Sequence, residues 1–237
     1  MRPQDAYVAV WRAARVPARR TGLLDALTRS PSPAARHLRS MFAIHDVADM
    51  ASLDLAWWSY DAIAEVEHHL DALTGRARVF EYGSGASTMW LGRRAGEVHS
   101  VEHDKGFYAF LAPQLDSLSH VHLRLVEPQP SLQPRTPSRR RGHEGLDFTD
   151  YVASIDDVPG AFDLVVVDGR ARVASARRAL PRLAPDGLLV LDNANRDEYA
   201  AIVRDPALEV RMLRGTTPCL PYPTTTALVR PREAGHR

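Results

Sequence analysis

An α/β fold is predicted for this chain: a mostly parallel seven-stranded sheet, its last strand antiparallel, with helices on both faces and a helical extension at the N-terminus. Three observations predict it. After Gly75 the chain alternates apolar strand-like runs with helix-like segments, the pattern of a parallel sheet covered by helices. The first of these runs ends on a glycine turn, Gly83-Ser84-Gly85, just before a helix-like segment. The last two runs are joined by a short proline-rich turn, so they pair antiparallel, because parallel neighbours need a crossover of about a dozen residues.

Taken in order, residues 1–40 are rich in arginine and broken by Pro17, Pro31 and Pro33, which predicts short amphipathic helices. From Leu55 to Leu73, Trp58, Ile63, Val66, Leu70 and Leu73 recur at helical steps and Gly75 follows as a stop signal, so one amphipathic helix leads into the sheet. Strands are expected at Arg78–Glu81, Glu97–Glu102, Val121–Val126, Phe162–Val167, Gly187–Leu191, Leu208–Leu213 and Thr224–Val229. The unbroken apolar run at Phe162–Val167 marks a central strand buried on both faces. Helices are expected at Ser87–Arg94, Phe107–Leu118, Val173–Leu183 and Glu198–Val203. Between Glu127 and Asp150 four prolines and four arginines exclude a regular element, and a long loop at this position suits a mobile lid or a disordered insertion. The resulting division is an extension and substrate cap over 1–75 and one larger domain over 76–232.

Composition narrows the function classes. The 237 residues are 45% hydrophobic and 25% charged with a net charge of +1, which argues against wholesale disorder, a membrane span and a global attraction to nucleic acid. Lys105 is the only lysine, so a lysine general base is nearly excluded, and the arginine skew suggests a bacterial source. Cys219 is the only cysteine, which excludes an intrachain disulfide and a cysteine zinc cage and fits a cytoplasmic protein.

The glycine turn lets a ligand approach the backbone at a helix N-terminus. Glu81, just before it, can accept from a ligand ammonium and would repel a pyrophosphate. Glu102 ends the second strand about 20 residues on, where an acid can hold both ribose hydroxyls. Thr88 stands where a dinucleotide fingerprint requires glycine. These features suit a nucleoside with a cationic amino-acid tail and no phosphates. The segments Val79-Phe80-Glu81-Tyr82-Gly83-Ser84-Gly85 and Ser100-Val101-Glu102-His103-Asp104 resemble the cofactor motifs of class I S-adenosylmethionine-dependent methyltransferases, which have a Rossmann-like fold. The resemblance covers roughly residues 76–230. It implies an S-adenosylmethionine-binding domain in which Glu81, Gly83, Ser84, Gly85 and Ser87 surround the methionine end, Glu102 holds the ribose, and His103 packs on adenine or stays a surface histidine.

Asp168, Asp192 and Asn193 end adjacent strands and resemble the metal triad of catechol and caffeoyl-CoA O-methyltransferases, which implies Mg²⁺. The match has a gap, since Ala171 stands where the catechol enzyme has its lysine base. The open alternative is metal-free, with Asp192 and Asn193 capping a helix and Asp168 positioning substrate or taking its proton. Arg170 either clamps an anionic group of the substrate or pairs with Asp168 or Asp192. Trp57, Trp58 and Tyr60 are expected in the core, with one tryptophan a candidate for the site. The expected activity is methyl transfer to an oxygen, or less readily a nitrogen, of a small molecule, with neither membrane nor nucleic acid as partner and a homodimer left open. The rivals are a nucleotide-dependent oxidoreductase, a non-catalytic cofactor-binding module and an RNA methyltransferase.

Overall fold

The computed structural model describes residues 3–232. Five helices precede the sheet: α1 (Pro3–Arg20), α2 (Leu23–Arg29), α3 (Pro33–Met41), α4 (Val47–Ser52) and α5 (Tyr60–Ala72). The expected helix from Leu55 starts later, at Tyr60, because the Ser59 hydroxyl accepts from the backbone N–H of Ala62 (3.3 Å) and ends the preceding loop there. Then follow β1 (Arg78–Tyr82), α6 (Ala86–Gly92), β2 (Glu97–Glu102), α7 (Lys105–Leu115), β3 (Val121–Leu125), β4 (Gln129–Pro130), β5 (Leu146–Asp147), α8 (Thr149–Ala153), β6 (Phe162–Val167), α9 (Arg172–Ala179), β7 (Leu183–Leu191), α10 (Ala200–Val203), β8 (Leu208–Gly215) and β9 (Thr224–Pro231).

Seven strands form one sheet in the order β3-β2-β1-β6-β7-β9-β8. All pairs among β3, β2, β1, β6 and β7 are parallel, and β9 runs antiparallel to both β7 and β8. The antiparallel strand therefore lies inside the sheet, with β8 at the edge. Alternate residues serve opposite faces. Val79, Leu164 and Val166 pack under α4, α5 and α6, where Trp58 meets Trp90 edge-on at 5.8 Å, whereas Phe80, Tyr82, Val165 and Val167 pack toward α8 and α9. Burying each such side chain contributes about 1.5–3 kcal/mol. A strand covered on both faces has no polar side to show, which accounts for the apolar run of β6.

The proline-rich segment departs from expectation. It closes into a two-residue antiparallel ribbon, β4 with β5, so part of it is regular after all. Asp147 organises it by accepting from the backbone N–H of Arg135 (2.9 Å) and of Thr149 (2.8 Å) and from the Thr149 hydroxyl (2.5 Å). That hydroxyl and those amides hold the Asp147 carboxyl down at about 2. Four prolines hid this pairing from the sequence, because the strand partners, Gln129 with Asp147 and Pro130 with Leu146, lie far apart in the chain and carry no local period.

Candidate active site

Parallel register brings the strand ends abreast: Tyr82 pairs with Val101 and Val167, and Val167 with Leu191. Gly83, Glu102, Asp168 and Asp192 thus meet at the carboxyl edge, where ligands bind in open α/β sheets. A cavity of about 560 Å³ opens there, lined by Trp57, Gly83, Ser84, Gly85, Ser87, Glu102, His103, Asp168 and Arg170, together with Arg140 and His143 of the proline-rich segment. Its size is ordinary for a small-molecule site.

Gly83 is required twice over. Its φ of 94° lies in the left-handed region, and a Cβ there would run into the backbone of Gly169. Gly169 in turn has no room for a side chain against Tyr151 and Gly83. The two glycines let the ends of β1 and β6 touch, and they leave bare backbone facing the cavity.

Glu81 does something other than expected. It is fully buried, does not line the cavity, and accepts from the hydroxyls of Ser87 (2.5 Å), Thr88 (2.5 Å) and Ser100 (2.6 Å). Thr88 also accepts from the Gly85 N–H (2.9 Å), and Ser84 and Ser100 share a hydrogen bond of 2.7 Å. Glu81 is therefore the knot that shapes the glycine turn, and direct contact with a ligand ammonium is corrected to support of the loop. Ser84 and Ser87 line the cavity with their hydroxyls already engaged.

Burial pushes the Glu81 carboxyl up to about 7, the three hydroxyls opposing it. Between the ordinary glutamate value and about pH 7 the folded chain keeps a proton that the unfolded chain has released. Stability should consequently fall as pH rises through that window, with a slope of at most about 1.4 kcal/mol per pH unit for one proton. Urea denaturation at pH 5 to 8 measures it, and Glu81→Gln should flatten the decline; an unchanged slope would show that this carboxyl does not titrate there.

Glu102 lines the cavity at the end of β2. Its Oε1 accepts from the backbone N–H groups of His103 and Asp104, both at 2.7 Å, which fixes the side chain. Among the described residues no protein hydrogen bond reaches Oε2, leaving one carboxylate oxygen for ligand hydroxyls. His103 stands beside it, with its ring 5.4 Å from that of His143 and 5.9 Å from that of Phe148, while Asp104 caps α7 through the Phe107 N–H (2.7 Å). A nucleoside fits this set: a free acid oxygen, flat rings on one side and the bare backbone of Gly83 and Gly169 on the other.

A divalent metal does not fit. Arg172 already fills the position between the acids: it donates to Asp168 Oδ1 (2.6 Å), to the carbonyls of Asp168 (2.7 Å), Gly169 (3.1 Å) and Asp192 (2.7 Å), and lies 3.9 Å from Asp192 Oδ2. Asn193 is likewise engaged, its Oδ1 accepting from Arg196 (2.5 Å) and its amide donating to Asp192. A guanidinium supplies the positive charge that the triad would take from Mg²⁺, so the expected set of Asp168, Asp192 and Asn193 is corrected to an ion-pair cluster. Nor do Asp192 and Asn193 cap a helix; they belong to a turn in which Asn193 has a φ of 55°. Burial lifts the Asp168 carboxyl against the pull of Arg172, and it pushes Asp192 up to about 7 with the charge of Asp168 adding to the effect.

The ion pair weighed for Arg170 is made by Arg172 instead. Among the described residues the Arg170 side chain has only the Gly169 carbonyl (3.2 Å), and its buried Nε has no partner. Of the tryptophans, Trp58 is core and Trp57 lines the site; Trp57 also borders an apolar cavity of about 480 Å³ with Tyr7, Ile44, His45 and Cys219. Sequence reasoning missed Arg140 and His143, whose only signal was their place in a loop at the ligand edge.

Residues 80–194 match the family described as "Methyltransferase domain". No curated protein matches the chain. Among solved structures it is similar to the O-methyltransferase from Bacillus cereus in complex with SAH, at 14% identity over 95% of this chain and 100% of that one, TM-score 0.55. Cofactor-bound Rv0187 from MTB aligns at 19% identity over 86% of this chain and 100% of that one, TM-score 0.56. An rRNA methylase from Streptococcus thermophilus aligns at 10% identity over 72% and 96%, TM-score 0.51. At these identities the likeness is one of fold.

Proposed function

We propose that this chain, a methyltransferase with the Rossmann-like fold of the class I S-adenosylmethionine-dependent enzymes, moves the cofactor's methyl group to an oxygen of a small molecule. The observation that carries the reading is Glu102, one oxygen fixed by two backbone amides and the other free at the cavity wall, beside a turn whose first glycine, Gly83, has no room for a side chain. Glu102 Oε2 takes the ribose hydroxyls, His103 and His143 flank the base, and the Gly83–Gly85 backbone accommodates the amino-acid end. When bound, the cofactor supplies an electrophilic methyl on a sulfonium sulfur, open to in-line displacement. The protein's main contribution is alignment.

Asp168 lines the same cavity with Oδ1 paired to Arg172 and no protein hydrogen bond on Oδ2 among the described residues. It accepts the proton of the acceptor hydroxyl at Oδ2. Burial lifts its carboxyl and makes it a better base than an exposed aspartate, and the one lysine, Lys105, does not line the cavity. Arg170 lies beside it and holds an anionic part of the acceptor. Oxygen is favoured by this carboxylate base.

Titration calorimetry tests the cofactor reading. S-adenosylhomocysteine should bind in the micromolar range, roughly −8 kcal/mol, and NAD⁺ should give no saturable heat. A panel of hydroxylated and amino acceptors then tests the atom methylated. Saturable binding of NAD⁺ with silence from S-adenosylhomocysteine would favour an oxidoreductase and end the proposal.

A further inference from the structure

A second cavity, of about 540 Å³, adjoins the first, and the two share Arg140, Gly169 and Arg170. Seven arginines line it, against a single carboxylate, Glu198. Three of the seven have acidic neighbours: Arg172 is paired with Asp168, Arg196 lies 3.9 Å from Glu198, and Arg135 lies 3.9 Å from Asp147. Among the described residues Arg139, Arg140, Arg170 and Arg177 have no carboxylate partner. They come from separate stretches of chain, Arg139 and Arg140 from the proline-rich segment, Arg170 from the turn before α9 and Arg177 from the last turn of that helix, so their convergence is not the solvated face of one helix.

Like charges held together on a concave wall repel, and the field they focus draws in anions. Burial and the neighbouring Arg140 and Arg172 already weigh against the charge on Arg170, whose Nε is buried without an acceptor. An anion would relieve both costs through forked charge-assisted hydrogen bonds. The first turn of α9 adds to the wall at Arg172, Val173 and Ala174, and that helix begins without a side-chain cap.

We infer that this cavity binds the anionic part of the methyl acceptor, a small molecule with two or more phosphate or carboxylate groups, whose hydroxyl reaches past Arg170 to Asp168. The inference rests on the methyltransferase reading above.

Inorganic pyrophosphate and citrate, titrated into the full chain saturated with S-adenosylhomocysteine, probe the two anion chemistries. One or both should bind saturably at one site. Arg177→Ala and Arg139→Ala should each weaken that binding about tenfold while S-adenosylhomocysteine affinity stays unchanged, since neither side chain lines the cofactor cavity. Arg177→Lys should lose less than the alanine variant. No saturable binding of either anion, in protein that still binds S-adenosylhomocysteine, would overturn the inference and leave the methyltransferase reading standing. Failure of S-adenosylhomocysteine to bind would overturn both. Tighter binding of a twelve-nucleotide oligouridylate than of pyrophosphate, lost steeply with salt, would replace the small molecule with an RNA backbone.

Discussion

Arg172→Ala is expected to destabilise the protein by roughly 3 kcal/mol and to turn a metal-indifferent site into a metal-responsive one. The guanidinium ties the end of β6 to the end of β7 through three carbonyls and the Asp168 carboxylate. Removing it leaves those acceptors unmet and sets Asp168 and Asp192 against each other without a cation. The loss belongs at the lower end of the range for broken buried pairs, because the Asp168 side chain is 24% exposed. Urea denaturation measures it. Without the guanidinium the two carboxylates become a hard oxygen set, so millimolar Mn²⁺ should raise the midpoint of the variant and leave that of the wild type unmoved. In the same experiment excess EDTA should not slow wild-type methyl transfer. Inhibition by EDTA would mean that a metal, and not Arg172, serves these acids.

Glu102→Ala should weaken S-adenosylhomocysteine binding about a hundredfold. Hydrogen bonds to a charged group are worth about 1.5–3 kcal/mol each, and losing those to two ribose hydroxyls, partly replaced by water, comes to roughly 3 kcal/mol. Glu102→Gln keeps an oxygen for the backbone amides of His103 and Asp104 but loses the charge, so a drop of about tenfold is expected. The pair separates ligand contact from loop support: if the loop alone mattered, glutamine would bind like wild type. Alanine binding within about threefold of wild type, in protein of unchanged melting behaviour, would remove the nucleoside from this cavity.

The same residues show how far a sequence can be read. The glycine turn, the acid about 20 residues beyond it and the apolar run of β6 are local signals, because turn conformation, strand alternation and two-sided burial act on neighbours in the chain. They determined the parallel sheet, the antiparallel return of β9, and the edge at which Gly83, Glu102 and Asp168 gather. Even Thr88 carried information, as the residue that argues against a dinucleotide.

What spacing could not decide was which partner each polar group would take. Glu81 sits at the expected place, yet its carboxylate is engaged by hydroxyls from α6 and β2 and turned away from the cavity. Arg170 and Arg172 are two residues apart and chemically identical. Only the left-handed turn at Ala171, with a φ of 47°, and the helix that starts after it bring Arg172 onto Asp168 and leave Arg170 at the boundary of two cavities. Local propensity acts through the backbone and is written in the order of residues. Pairing among buried charges is settled by distances of a few ångströms between segments far apart in the chain, and those exist only once the sheet has closed.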